Sequence, residues 1–344
     1  MAYARAVTKG INMSRTPLLA LLIASASLAT AAAVEPLSPA TQVKQMQRGV
    51  NIVGYDPLWN DPAKARFKPR HLELIRQGGF DSVRIVLQTF RRMKEKYELP
   101  ASWFATLDGL VDKALEQKLT VILDEHDFGF CGRDAEGCRP RLMAFWTQVA
   151  EHYKNAPNQV VFEILNEPNQ AADAVWNDLH AEALAIIRKT NPTRNVIIGP
   201  AFWNNVAWLD KLELPKKDRH LIVTVHYYLP MKFTHQGARW TPEYVNTTGV
   251  SWGTAEERAA IDKDFNVVQK WAKKNDRPIL LGEFGAYDKG PIESRVAYTS
   301  AVARAAEKRG WAWAYWQFDS DFIVYDIDKD QWNEPIRKAL IPGK

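Results

Sequence analysis

Two glutamates stand where an acidic side chain is costly. Glu167 closes the run Phe162-Glu163-Ile164-Leu165-Asn166-Glu167-Pro168, and Glu283 closes Ile279-Leu280-Leu281-Gly282-Glu283-Phe284. A carboxylate set directly after an apolar strand loses hydration and needs a strong partner to stay charged. Cleavage of a glycosidic bond uses such a pair, one carboxylic acid to protonate the leaving oxygen and one carboxylate to attack or stabilise the anomeric carbon. Other polar residues recur at the same kind of position: Arg84 lies within an apolar run, His126 ends the next, and Asn166 precedes Glu167. His226 and Tyr228 follow a further run, and Trp316 ends the last. Arg84 and Tyr228 are candidates for holding one glutamate ionised, while a more apolar setting keeps the other protonated. Spacing alone does not say which glutamate is which. Taken singly, Arg84 reads better as an internal ion pair, His126 as a satisfied core histidine and Trp316 as a barrel plug; their common location at one rim reverses that and favours a site.

These positions depend on an alternation of short β-branched runs with helical stretches. Strands are expected at Gly49–Val53, Ser82–Leu87, Thr120–Asp124, Val160–Leu165, Asn195–Gly199, Leu221–His226, Ile279–Leu281 and Ala312–Trp316. Between them, apolar residues recur every three or four positions over Arg70–Gln77, Ala101–Gln117, Arg141–Tyr153, Ala171–Arg188, Ala255–Lys274 and Glu293–Lys308. Shorter helices are expected at Val206–Lys211 and Gln331–Ala339. Eight strand-then-helix units without a linker predict an α/β fold, a single (β/α)8 TIM barrel whose active site lies at the C-terminal ends of the strands. A doubly wound open sheet is the alternative, but no GxGxxG follows the first strand.

Composition narrows the function. With 46% hydrophobic and 25% charged residues, the 344-residue chain has the make-up of a globular protein. Arg5, Lys9 and Arg15 supply three of its formal +5 charges, so the rest carries only +2 and offers no case for a nucleic-acid partner. Arg15, the apolar run Leu18–Leu28 and Ala29-Thr30-Ala31-Ala32-Ala33 have the layout of a signal peptide over residues 1–33, with Met13 as an alternative start. That predicts a secreted or periplasmic protein, residues 34–344, with no membrane contact after cleavage; an uncleaved anchor is the competing reading. Cys131 and Cys138 suit one local disulfide in an exported protein. A zinc site using these thiols and His126 lacks CxxC or HxxxH spacing.

Asn166-Glu167-Pro168, His226-x-Tyr228, Gly282-Glu283-Phe284-Gly285 and Trp316, in this order at strand ends, resemble glycoside hydrolase family 5, the cellulase family A. The resemblance runs from Arg48-Gly49-Val50-Asn51 through Tyr325-Asp326. It implies a retaining endo-β-1,4-glucanase with Glu167 as acid/base and Glu283 as nucleophile, acting on a β-linked polysaccharide or oligosaccharide. It further implies that Asn166 binds the sugar 2-hydroxyl, that Arg84 and Tyr228 orient Glu283, and that His126 and His226 contact the sugar or the acid/base. Trp316 would floor the cleavage subsite, with Trp203, Trp240 and Trp252 as further stacking candidates and His235 as a second-rank one. The segment His226–Trp240 resembles the loop of the family's endoglucanases and favours glucan over mannan. The chain departs from the pattern at Ile85-Val86, where many relatives have proline after the isoleucine, and at Asp127, where some carry a second histidine; both bear on substrate preference.

Other readings fit less well. A metal hydrolase would draw on His126, Asp127 and His226, yet no HxH follows the first strand, and Asp326-Ile327-Asp328-Lys329-Asp330 lacks the glycine and glutamate of a calcium loop. A non-catalytic carbohydrate-binding protein would not need both carboxyls, and no GxSxG supports a serine hydrolase. The expectation is a monomer with neither metal nor organic cofactor.

Overall fold

In the computed structural model, Gly10 and residues 35–343 are described. Apart from Gly10, the expected signal segment lies outside the described residues. The apolar runs become eight strands: β1 (Arg48–Ile52), β2 (Ser82–Leu87), β3 (Thr120–Glu125), β4 (Val160–Glu163), β5 (Val196–Ile198), β6 (Leu221–Tyr227), β7 (Ile279–Phe284) and β8 (Ala312–Tyr315). They pair in parallel in chain order, and β8 returns to β1 through Arg48–Trp313, Gly49–Ala314 and Val50–Tyr315, closing the barrel. The main helices between them are Pro69–Gly78, Ala101–Glu116, Ala135–His152, Trp176–Thr190, Ala255–Asn275 and Ile292–Glu307. The fold is the (β/α)8 barrel that the alternation predicts. No helix among the described residues is long and apolar enough to cross a membrane.

Alternate strand residues face the barrel interior, which fills in layers. The lower layer is apolar: Ile122, Val161, Ile197, Ile222, Leu280 and Ala312 cluster with Val43 and Met46 of a further helix, Pro39–Met46. The sequence reading missed this helix, although Ser38 caps it, accepting the Thr41 N–H at 3.1 Å, and Pro39 begins it. Two residues further along β3, β4 and β6 the interior turns polar at Asp124, Glu163 and Thr224, joined by Asn51 of β1 and Arg84 of β2, all buried. A floor of apolar side chains under a polar layer excludes water from below and strengthens every charge interaction above it.

Strict alternation would give Glu283 the parity of Leu281 and turn it outward. The β6–β7 ladder slips between Val225 and His226, so Val225 pairs with Leu281 but His226 with Glu283. Gly282 is the extra residue, and this bulge brings Glu283 to the inner face beside His226. A Cβ on Gly282 would lie 2.4 Å from Thr224 Oγ1 and 2.9 Å from His226 Nε2. Only glycine leaves room there for the histidine ring.

Several boundaries differ from expectation. The helix expected over Gln331–Ala339 is shorter, Glu334–Leu340, with Pro335 in its first turn, while Gln331–Trp332 pairs antiparallel with Tyr325–Asp326. Trp332 stacks on Phe80 at 6.0 Å, which holds that ribbon against the barrel. Val206–Lys211 is a 3-10 segment, and the Ala171–Arg188 stretch divides into a 3-10 turn, Gln170–Val175, and the helix Trp176–Thr190. Many tryptophans are structural. The indole N–H groups of Trp59, Trp146 and Trp176 donate to the carbonyls of Val86, Ile164 and Gly199 at 2.8, 2.9 and 2.8 Å, tying the outer layer to strand ends.

Cys131, in the short helix Phe128–Arg133, is bonded to Cys138 in Ala135–His152, with Cα atoms 4.9 Å apart. Closing this short loop restricts the unfolded chain, and its reduction is expected to lower stability by up to about 3 kcal/mol with little change in turnover. A thermal melt with and without reductant checks this, and an unchanged Tm after confirmed reduction would contradict it.

Candidate active site

Arg84 organises the site. Its guanidinium is fully buried and grips Glu163 through both oxygens, Nε to Oε2 at 2.7 Å and Nη2 to Oε1 at 2.9 Å. Nη1 also donates to Asn51 Oδ1 and Glu283 Oε1, both at 2.9 Å, and Nη2 reaches Asn166 Oδ1 at 2.8 Å and Asp124 Oδ2 at 3.1 Å. One cation therefore serves three buried carboxyls. Burial raises the pKa of Asp124, Glu163 and Glu283, while Arg84 pulls each of them down. Asn51 is itself fixed by donating to the Gly282 carbonyl at 3.0 Å.

The two glutamates sit in different surroundings. Glu283 accepts from both Arg84 and the Tyr228 hydroxyl, the latter at 2.9 Å. Glu167, just past β4, has φ 37° and, among the described residues, a single side-chain partner, His226 Nδ1, at 2.7 Å from Oε1. Burial pushes Glu167 up to about 8. Glu167, His226 and Glu283 bring one ligand-type atom each within 4.8 Å of one another. Among the described residues they are the one His/Cys/carboxylate group of three close enough for a metal; His126, Asp127 and His226 do not form such a group.

Both histidines are held neutral, since burial pushes each down to about 4. His126 Nδ1 lies 2.5 Å from Asp124 Oδ2, its Nε2 lies 3.3 Å from Asn166 Nδ2, and its ring is parallel to Trp316 with centroids 5.5 Å apart. His226 Nε2 faces Asn204 Nδ2 at 3.2 Å. With the Asn204 amide donating, the neutral ring carries its proton on Nδ1 and donates to Glu167. Asn204 ends a run of three left-handed residues, Phe202, Trp203 and Asn204, with φ 59°, 60° and 52°. Each such non-glycine residue costs about 1–2 kcal/mol, and a backbone held this way is characteristic of functional sites. The turn is pinned by Phe202 N–H on Asp173 Oδ1 at 2.7 Å and Trp203 N–H on the Pro168 carbonyl at 3.0 Å.

The structure thus brings Arg84, His126, Asn166, Glu167, His226, Tyr228 and Glu283 into one connected network. Trp316 is only 6% exposed, parallel to His126 and edge-on to Tyr55 at 6.2 Å, so it bounds the network and offers no open ring face. Trp203 and Trp240 expose 38% and 45% of their surface, enough to offer a ring face. Trp252 does not: it is buried against Phe233 and Tyr298, which corrects its expected place among the stacking residues. His235 packs edge-on to Tyr228 at 5.1 Å and supports the loop. Asn51, Glu163, Asn204 and the exposed Tyr55 were missed in the sequence. A polar residue at an inward strand position, such as Asn51 or Glu163, was the available signal; nothing local marked Asn204.

A closed parallel barrel with paired carboxyls at its strand ends has the architecture shared by many barrel glycosidases. The chain belongs to glycosyl hydrolase family 5: the family described as Cellulase matches residues 42–321. Endoglucanase Cel5A from the hyperthermophilic Thermotoga maritima is 37% identical with a TM-score of 0.84, covering 89% of this chain and 100% of that one. That protein has also been solved with mannotriose and with cellobiose. The clostridial cellulose synthase subunit Z from Clostridioides difficile is 34% identical with a TM-score of 0.81, covering 86% and 99% of the two chains. Endoglucanase H of Acetivibrio thermocellus is 30% identical over 322 residues, 89% of this chain and 34% of that protein. The chain spans between about a third and about half of the length of three such curated relatives.

Proposed function

We propose that this chain is a retaining endo-β-1,4-glucanase that cuts internal bonds of a β-linked polysaccharide by double displacement. The observation that carries the reading is the carboxyl pair itself. One oxygen of Glu167 and one of Glu283 lie within 4.8 Å of each other, an approach that suits the roughly 5–5.5 Å carboxyl separation of retaining enzymes better than the separation of about 6.5–9.5 Å at which inverting enzymes admit water. Their surroundings differ in the direction the chemistry needs.

In the first step a Glu283 oxygen attacks the anomeric carbon as the C1–O bond breaks, and Glu167 gives its proton to the leaving oxygen. In the second, Glu167 takes a proton from water, the water oxygen bonds to C1, and Glu283 leaves. Arg84 and Tyr228 keep Glu283 ionised through two charge-assisted hydrogen bonds. His226, held as a donor by Asn204, occupies Oε1 of Glu167, so the carboxyl proton rests on Oε2 for the substrate. Asn166 takes the sugar 2-hydroxyl, His126 lies against the same subsite, Trp316 closes its floor, and Trp203 and Trp240 supply open faces for sugar rings. The enzyme works as a monomer without a metal, and residues 1–33 are removed on export from the barrel, residues 34–344.

A mannan-active reading has one observation in its favour, the mannotriose complex of the Thermotoga maritima relative. Hydrolysis of carboxymethylcellulose, barley mixed-linkage glucan, xyloglucan and galactomannan, with a chelator present, tests both. Fastest release from the glucans is expected; preference for galactomannan would move the assignment to a mannanase, and loss of activity with chelator would overturn the metal-free chemistry.

The acid/base role also sets a pH dependence. Glu167 must be protonated in the first step, so activity is expected to fall as pH rises through about 8. In Glu167→Gln, assayed with an aryl β-cellobioside whose leaving group needs no proton, the alkaline fall is expected to vanish. An unchanged alkaline limb in that variant would contradict the role.

A further inference from the structure

A cavity of about 310 Å³ opens where the chain leaves β2 and β3, and its lining includes His126, Arg91, Arg133 and Arg141. His126 belongs equally to the site above, through its contacts with Asn166 and Trp316. The cavity therefore borders the carboxyl pair's site through His126.

Its charge is unbalanced. Asp127 is the one carboxylate residue in the lining, and its Oδ2 is taken by the backbone N–H groups of Thr89 and Phe90 at 2.7 and 2.8 Å. Arg141 is built into the wall: Nη1 donates to the Gly137 carbonyl at 2.7 Å, and the guanidinium lies over the rings of Phe130 and Tyr97 at 4.7 and 5.1 Å. Arg91 and Arg133 have neither an ion-pair nor a hydrogen-bond partner among the described residues. The Cys131–Cys138 bond braces the segment carrying Arg133 against the helix carrying Arg141. Three guanidinium groups gathered on one cavity repel one another until an anion arrives, and their planar forks match a carboxylate. Phe130 adds an apolar surface of the kind that sugar C–H groups cover.

We propose that this cavity is a subsite for a carboxylate-bearing substituent of the glycan, so that the enzyme favours β-glucan chains carrying acidic groups beside the bond it cuts. The proposal rests on the glycanase reading of the neighbouring site. Its test compares wild type with Arg91→Gln/Arg133→Gln on carboxymethylcellulose and on hydroxyethylcellulose, which is similarly substituted but uncharged. In the double variant, kcat/KM on carboxymethylcellulose is expected to fall about five- to tenfold, with hydroxyethylcellulose unchanged, as suits the loss of two solvent-open charge contacts. The wild-type advantage on the anionic polymer is also expected to shrink with added salt. Equal change on both polymers, or no change on either, overturns it. A second readout is independent of turnover: retardation of Glu283→Gln in native gels containing each polymer. Selective retardation by carboxymethylcellulose that disappears with Arg91→Gln/Arg133→Gln supports the subsite even if the wild type hydrolyses neither polymer. Retardation that is indifferent to the arginines refutes it.

Discussion

Glu283→Gln is expected to reduce turnover on every β-glucan substrate at least about 10,000-fold while the fold persists, because in the proposed mechanism it deletes the attacking carboxylate and nothing else of comparable weight. Glutamine keeps the volume of the side chain, and its carbonyl still accepts from Arg84 or Tyr228, the two donors that hold Glu283. Burial already raises the Glu283 pKa, so removing the charge also relieves a desolvation cost. Single-turnover rates and a thermal melt check the two halves together. A folded variant with more than about 1% of wild-type activity would exclude Glu283 as the nucleophile.

Arg84→Met is expected to be the most damaging substitution for stability, costing about 3–5 kcal/mol, because it strands buried carboxyls whose one cationic partner among the described residues is Arg84. Asp124 and Glu163 are fully buried and Glu283 nearly so, and none has another positive partner in the network while His126 and His226 stay neutral. The stranded groups escape by taking up protons. With folded pKa values raised above the unfolded ones, the variant is fully stable only at low pH and loses stability as pH rises through those raised values. The difference from wild type is therefore expected to narrow toward acidic pH. Activity is lost as well, since a protonated Glu283 cannot attack. Denaturant unfolding at pH 5 and pH 8 measures the gap, and a gap independent of pH would show that lost packing, and not stranded charge, accounts for the cost. Arg84→Lys is expected to recover little, because one ammonium cannot reproduce the fork to Glu163 together with the bonds to Asn51, Asn166 and Glu283.

The eight strands were legible because a barrel buries both faces of each strand, and such strands read as continuous β-branched runs. The location of the site was legible for the same reason: Arg84, His126, Asn166 and Tyr228 contrast with the apolar runs that carry them. What escaped notice depends on tertiary geometry. Gly282 gives no local sign that it is an extra residue in the ladder, yet the bulge there decides which way Glu283 points. Asn204 reaches His226 only because a turn strained at three consecutive residues brings it back toward the barrel. Trp252 resembles Trp203 and Trp240 in sequence, and only packing against Phe233 and Tyr298 separates a core indole from exposed ones. At Gln331–Trp332, ring contacts with Phe80 and Tyr325 accompany strand pairing in place of the expected helix.

Trapping the glycosyl-enzyme tests the proposed chemistry most directly. The wild-type chain is incubated with 2,4-dinitrophenyl 2-deoxy-2-fluoro-β-cellobioside, whose fluorine slows both displacements while its good leaving group restores the first, and the protein is then digested and mapped by mass spectrometry. One fluorocellobiosyl unit on Glu283, absent from Glu283→Gln, is the expected result. A modification on any other residue, or an active enzyme that releases the inverted anomer and never accumulates an adduct, would contradict the retaining mechanism and the role of Glu283 in it.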